Sequence, residues 1–253
     1  MRPRIVRKDI FLKRWPARMD GFTIALLTDL HYDPIFSVHP IQSAVDIVNR
    51  LRPDLIALTG DFVTSPLIGD RRKGAADAEP CAELLRRLQA PCGRWAVMGN
   101  HDVSVGARPV TGALQHAGIN VLSNGAVPIE GNGGRFWLAG VKDAMRSNAD
   151  VSAALQPVST GEPVVLLAHE PDYADVVQRF PVDLQLSGHS HGGQIRLPLI
   201  RPVYLPEMAR KYFLGLYRIG NLTLYTSPGV GTIRVPARLN CPPEVTLLTL
   251  RRV

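Results

Sequence analysis

Cysteine is scarce in this chain: three in 253 residues, with no C-x-x-C pair. An odd count without paired spacing excludes a disulfide-built scaffold and a zinc ribbon. Long apolar runs are also missing. None approaches the roughly 20 residues that a membrane-spanning helix needs, and the basic start MRPRIVRKDIFLKRW lacks the apolar centre of a secretory signal. These features predict a reduced, cytoplasmic protein. Aromatic residues make up only 6% of the chain, which disfavours the interleaved basic and aromatic track of a single-strand nucleic-acid groove. Internal repeats and low-complexity linkers are absent, while short apolar runs recur throughout, so disorder is excluded. The length suits one domain, residues 1–253, with a large buried core.

The net charge of +7 first points to an anionic partner. Its distribution says more than its sum. Residues 1–19 carry +6, residues 20–195 carry −6, and residues 196–253 carry +7. A net-acidic body lies between two basic ends, which disfavours a nucleic-acid partner. The ends are where an acylated phosphate substrate or an anionic membrane surface would be met. The segment 197–220, with Arg201, Arg210, Lys211 and Arg218 among apolar residues, is the second candidate for such contact.

Short apolar runs alternate with helical patterns from Gly21 onward. Strands are predicted at 22–27, 54–58, 94–98, 164–168 and 184–186, with helices at 41–51, 78–88, 110–117 and 172–179. That alternation implies βαβ units and buried, largely parallel strands. A hairpin is predicted at 127–129 and 136–141, around GNGG. Further strands are predicted at 194–197, 215–219, 222–225 and 244–250, and this last third reads as more antiparallel. The loop 66–79, with Arg71, Arg72 and Lys73, is predicted to be the most mobile.

The chemistry lies at the strand ends. The first strand runs into TDLH (Asp29, His31) and the second into TGD (Asp61). The third runs into MGNHD (Asn100, His101, Asp102), the next into His169, and the last into GHSH (His189, His191). Ligands bind at the carboxyl ends of strands in open α/β sheets. Carboxylate and imidazole together suit Zn, Mn or Fe, whereas calcium prefers an all-oxygen shell. A carboxylate such as Asp61 can bridge two ions, and a pair of ions can activate water and clamp a phosphoryl group. Gly60, Gly99 and Gly188, just ahead of these residues, are expected to permit sharp turns. His39 and His116 fit no motif, and Cys81, Cys92 and Cys241 read as ordinary thiols.

In that order the motifs resemble the calcineurin-like metallophosphoesterases. GHSHGGQIRLP (188–198) and RLNCPPEVTLLTL (238–250) extend the likeness to the bacterial YaeI/YkuE branch. The resemblance implies an α/β, four-layer αββα sandwich of two mixed β-sheets flanked by helices. It also implies two divalent metal ions (Mn, Zn or Fe). One would be held by Asp29, His31, Asp61 and His191, the other by Asp61, Asn100, His169 and His189. His101 would sit near the leaving group as general acid or transition-state stabiliser, oriented by Asp102, with a metal-bound hydroxide as nucleophile. The implied substrate is a phosphodiester or pyrophosphate, either small or lipid-linked, with peripheral contact at an anionic membrane. A nuclease and a non-catalytic metal-binding protein are the alternatives. One departure stands out: many relatives carry G-D-x-x-D, and Thr64 occupies the position of the second acid here.

Overall fold

In a computed structural model, residues 1–66, 68–70, 72–131, 133–197 and 202–253 are described. The strands are β1 (Arg4–Leu12), β2 (Phe22–Leu27), β3 (Leu55–Leu58), β4 (Arg94–Ala96), β5 (Asn120–Val121), β6 (Gly125–Gly131), β7 (Gly134–Gly140), β8 (Val164–Leu167), β9 (Leu184–Ser187), β10 (Gly215–Ile219), β11 (Leu222–Thr226) and β12 (Glu244–Arg252). The helices are α1 (Val38–Leu51), α2 (Arg72–Ala75), α3 (Ala78–Leu85), α4 (Asn100–His116), α5 (Val151–Leu155) and α6 (Ala174–Val177).

Two six-stranded mixed sheets result, ordered β1-β12-β2-β3-β4-β5 and β10-β11-β9-β8-β7-β6. The apolar runs are buried on both faces, so the core divides into three layers. Leu26, Leu55, Phe136, Leu167 and Leu186 pack between the sheets. Ile41, Val45 and Leu85 of the helices cover Ile56 and Leu58 on the outside of the first sheet. Ala154, Ala174 and Val177 cover Leu166 and Leu224 on the outside of the second. The four-layer order of helices, sheet, sheet and helices follows from that burial. Among the described residues no helix is long and apolar enough to cross a membrane.

Several boundaries differ from the sequence-based expectation. Helix α4 begins at Asn100 rather than near residue 110, with a break at Gly106 (φ 119°). Its first turn carries polar residues, so the apolar period that marks a helix starts only beyond the break. The predicted helix at 172–179 is a 3-10 turn, Pro171–Tyr173, followed by α6. No strand forms at 194–197. Gln194 takes a left-handed φ of 46°, and Ile195 makes a single isolated bridge to Leu239. The basic start forms the edge strand β1, parallel to β12, which itself runs antiparallel to β2. Part of its charge is used internally: Arg14 grips Asp183 through Nε at 2.8 Å and Nη2 at 2.7 Å. The loop expected at 66–79 contains α2. Arg71, and Arg201 with its neighbours 198–200, lie outside the described residues, as do Leu67 and Asn132.

Candidate metal centre

The predicted residues converge where the strands of both sheets end. Backbone hydrogen bonds stitch the loops together: Asp29 N–H donates to Gly60 O and His31 N–H to Asp61 O, each at 3.0 Å. From the other sheet, His189 N–H donates to the Asp29 carboxylate at 3.0–3.1 Å. Asp29, His31, Asp61, His189 and His191 all adopt left-handed φ values between 44° and 66°. Such conformations cost about 1–3 kcal/mol each in non-glycine residues and recur at functional sites. The expectation for the flanking glycines needs amendment. Gly60 does take φ +92°, but Gly188 is required for space, because a Cβ there would collide with Thr28 Oγ1 and Asp29 Oδ2.

Among the described residues, three clusters with ligand atoms within 4.8 Å of one another form: Asp29–His31–His191, His31–Asp61–His101 and Asp61–His169–His189, the first and third joined through the second. The first and third meet at one atom. Asp61 Oδ2 lies 3.5 Å from His31 Nε2 and 3.2 Å from His169 Nε2, while Asp61 Oδ1 accepts the His101 N–H at 2.9 Å. His31 Nε2 and His191 Nε2 stand 3.1 Å apart, and His189 Nδ1 stands 3.1 Å from His169 Nε2. Outer contacts set the rings: His169 Nδ1 faces Thr59 O at 2.6 Å and His189 Nε2 faces Glu207 O at 2.8 Å. Asn100 Oδ1 is buried with no hydrogen-bond partner among the described residues. An orphaned buried acceptor beside clustered imidazoles and carboxylates fits a divalent cation of the Zn, Mn or Fe class.

Electrostatics agree with that fit. Burial depresses His31 and His189 to about 3, so both imidazoles are neutral at pH 7. Burial lifts Asp29 to about 6. Burial also opposes charge on His169, but the Asp61 carboxylate, its hydrogen bond and Asp29 outweigh it and hold the imidazolium well above the ordinary range. Asp61 is held correspondingly low despite its burial. The metal-free protein therefore holds a proton on His169 that a metal bound by this imidazole would displace. Zn²⁺ or Mn²⁺ loading at pH 7 should release about one proton per protein, and affinity should fall as pH drops through 6, where Asp29 also protonates. Calorimetry in buffers of different ionisation enthalpy reads this number directly. Zero release would contradict the His169–Asp61 pairing.

The ring of His101 faces differently from the expectation. Its Nδ1 accepts the Ser65 N–H at 2.9 Å, and Asp102 is not its partner. Asp102 instead accepts backbone N–H groups of Asp61, Phe62, Val63 and Gly99 at 2.8–3.2 Å. It is the staple of the loop that carries Asp61. Thr64, where the second acid of G-D-x-x-D would stand, places Oγ1 3.2 Å from His31 Nδ1.

Ser65 and Arg238 are functional neighbours that the sequence reading misses. Arg238 is a buried guanidinium that donates to Gly231 O and Pro228 O at 2.6–2.8 Å and to His191 O and Cys241 O at 3.4 Å, with Cys241 Sγ at 4.0 Å. Its place in the RLNCPP stretch is the available signal. A cavity of about 640 Å³ opens over Asp61, Asn100, His101, His189 and His191.

Comparison with known proteins follows the same lines. The family model for calcineurin-like phosphoesterases matches residues 22–193, a span containing all nine candidate residues. The uncharacterized metallophosphoesterase YkuE of Bacillus subtilis is 34% identical over 93% of this chain and 81% of its own length. Phosphodiesterase YaeI of Escherichia coli is 34% identical over 90% of this chain and 82% of its own. A transmembrane protein with a metallophosphoesterase domain from Danio rerio is 31% identical, and the match spans 58% of its length. Among solved structures, the protein TT1561 of Thermus thermophilus superposes with a TM-score of 0.52 at 13% identity, covering 83% of this chain and 90% of that one. At that identity the likeness concerns the fold alone.

Proposed function

The chain belongs to the calcineurin-like phosphoesterase family and is a metallophosphoesterase, and on that premise we propose a dinuclear centre that hydrolyses a phosphodiester or pyrophosphate. Asp29, His31, Asp61 and His191 would hold one divalent ion; Asp61, Asn100, His169 and His189 would hold the other. The observation carrying this reading is the position of Asp61 Oδ2 between imidazoles of the first and third clusters. Ions bound there supply Lewis acidity and lower the pKa of water.

The remaining steps belong to the chain's own residues. Because His101 Nδ1 accepts the Ser65 N–H, the neutral ring carries its proton on Nε2. That Nε2–H donates a hydrogen bond to the leaving oxygen and stabilises the charge developing there. Asp102 acts through the backbone, keeping the turn at Asp61 in register with the start of α4. The cavity admits a substrate of small-molecule size. Exposed Val203, Tyr204 and Val235 at its wall (68%, 59% and 52%) support a partly apolar or lipid-linked arm.

The test is turnover of bis(4-nitrophenyl) phosphate by protein loaded with Mn²⁺, Zn²⁺ or Fe²⁺. Activity is expected with at least one metal. His101→Gln should lower kcat about 100-fold with metal content retained. Absence of turnover with every metal would sink the reading.

A further inference from the structure

The cavity over the metal centre is also walled by two later loops, 202–207 and 233–235. The second of these is held in an unusual way. Gln194 donates Nε2 to the carbonyls of Ile233 and Val235, at 3.1 and 2.9 Å, and its Oε1 accepts the Ile233 N–H at 2.9 Å. Between the two clamped residues sits Arg234, with a left-handed φ of 62°. A long side chain adopts that conformation at a cost, so the surrounding contacts must enforce it. The Arg234 guanidinium lies 5.6 Å from the centroid of the Tyr204 ring, within the range of a cation–π contact.

Several arginines of this protein pair with acids, among them Arg14 with Asp183, Arg87 with Asp46 and Arg135 with Glu162. Among the described residues, Arg234 has neither a carboxylate nor a hydrogen-bond acceptor as partner. Of the charged side chains that line the cavity outside the metal centre, Arg146 and Glu207 have opposite signs, so Arg234 sets the sign of the excess there. A planar guanidinium with its donors unused, clamped by its backbone and stacked on an aromatic ring, is organised to receive a phosphate-like or carboxylate oxygen pair.

We infer that Arg234 forms a second anion subsite, which binds a negatively charged group on the non-reacting arm of the substrate. Gln194 is its positioning residue, and Tyr204 supplies the face on which the guanidinium rests. The inference rests on the proposed phosphoesterase reading and narrows its substrate class to diesters with a second anion beyond the reacting phosphoryl group.

Two matched substrates test this in the metal-loaded enzyme. 4-Nitrophenyl phenyl phosphate and its analogue bearing a phosphonate on the phenyl ring share a leaving group and differ in one anionic arm. The wild-type enzyme should favour the charged diester in kcat/KM. Arg234→Ala should lower that selectivity ratio about tenfold, through KM of the charged substrate. Arg234→Lys should restore part of the ratio, since the charge returns without the fork. Gln194→Leu should fall between wild type and Arg234→Ala.

A ratio within twofold of wild type in Arg234→Ala would overturn the subsite, whatever happens to overall rate. If wild type turns over neither diester, the phosphoesterase reading fails by itself. Calorimetry with 1,4-benzenediphosphonate against phenylphosphonate then decides the subsite without turnover. Arg234→Ala must lower the ratio of the two affinities, and an unchanged ratio refutes the assignment.

Discussion

Asp61→Ala should strip both ions from the protein and lower turnover of bis(4-nitrophenyl) phosphate by about 1,000-fold or more. The magnitude follows from the several kcal/mol that metal ions contribute to charge stabilisation, at about 1.36 kcal/mol per tenfold in rate. The reason for losing both ions together is geometric: a single oxygen, Oδ2, faces His31 on one side and His169 on the other. Replacing Asp29 removes a carboxylate that belongs to one cluster only, so Asp29→Ala should retain a larger share of one ion. Asp61→Asn serves as the control for folding, because its side-chain oxygen can still accept the His101 N–H that Oδ1 takes in the wild type. Metal content by mass spectrometry, alongside kcat, reads the result. Stoichiometric metal with retained turnover in Asp61→Ala would refute the bridging assignment.

The second large effect concerns stability. Asp102→Ala should destabilise the metal-free protein by about 4 kcal/mol, since four buried N–H donors lose their acceptor and each unsatisfied donor costs about 1–3 kcal/mol. Those donors belong to Gly99, Asp61, Phe62 and Val63, so the loss also frees the loop that carries Asp61. Asp102→Asn keeps an acceptor and should lose less.

The pH dependence sharpens this comparison. Burial and the Asp61 charge push Asp102 up to about 7 from an ordinary 3.8. A carboxyl whose folded pKa is raised contributes most when protonated, and that contribution is lost as pH rises from about 4 through 7. The Asn variant carries no such titration, so the gap between wild type and Asp102→Asn should narrow as pH rises from about 4 through 7. Urea midpoints of chelator-treated proteins measure it. An equal loss for Ala and Asn, independent of pH, would show that the carboxylate does not act as the acceptor described.

Much of the metal centre is legible before folding because its residues come in short motifs at strand ends. A run such as Leu55–Leu58 is buried on both faces, so it reads plainly as a strand, and the polar residue after it must sit at an exposed edge or a site. The same logic fails where polar residues open a helix. Asn100, His101 and Asp102 form the first turn of α4, yet they lack the apolar period that reveals one. It also fails for partners supplied by backbone. Nothing in the identity of Ser65 announces that its N–H fixes the His101 ring, because every residue but proline carries that group. The role of Asp102 is hidden for a related reason. Adjacency in the chain suggests a partner for the imidazole, while helix geometry turns the carboxylate toward the loop at residues 61–63.

Charge follows a similar course. Arg4 and Arg14 of the basic start are held by Glu244 and Asp183, residues more than 160 positions away in the chain. Strand β12 reaches its place between β1 and β2 only by a long crossover, and no local pattern carries that pairing.

The sequence by itself determined the strand-and-helix alternation, the scarcity of cysteine and the set of metal-capable side chains, because these depend on residue type and short-range spacing. Only the tertiary structure decided which atoms meet. The placement of Asp61 Oδ2 between two imidazoles, the four donors on Asp102 and the clamping of Arg234 by Gln194 each join segments distant in the chain. Their physical basis is the packing of two sheets, which brings loops from both to one edge and makes contacts that no local pattern encodes.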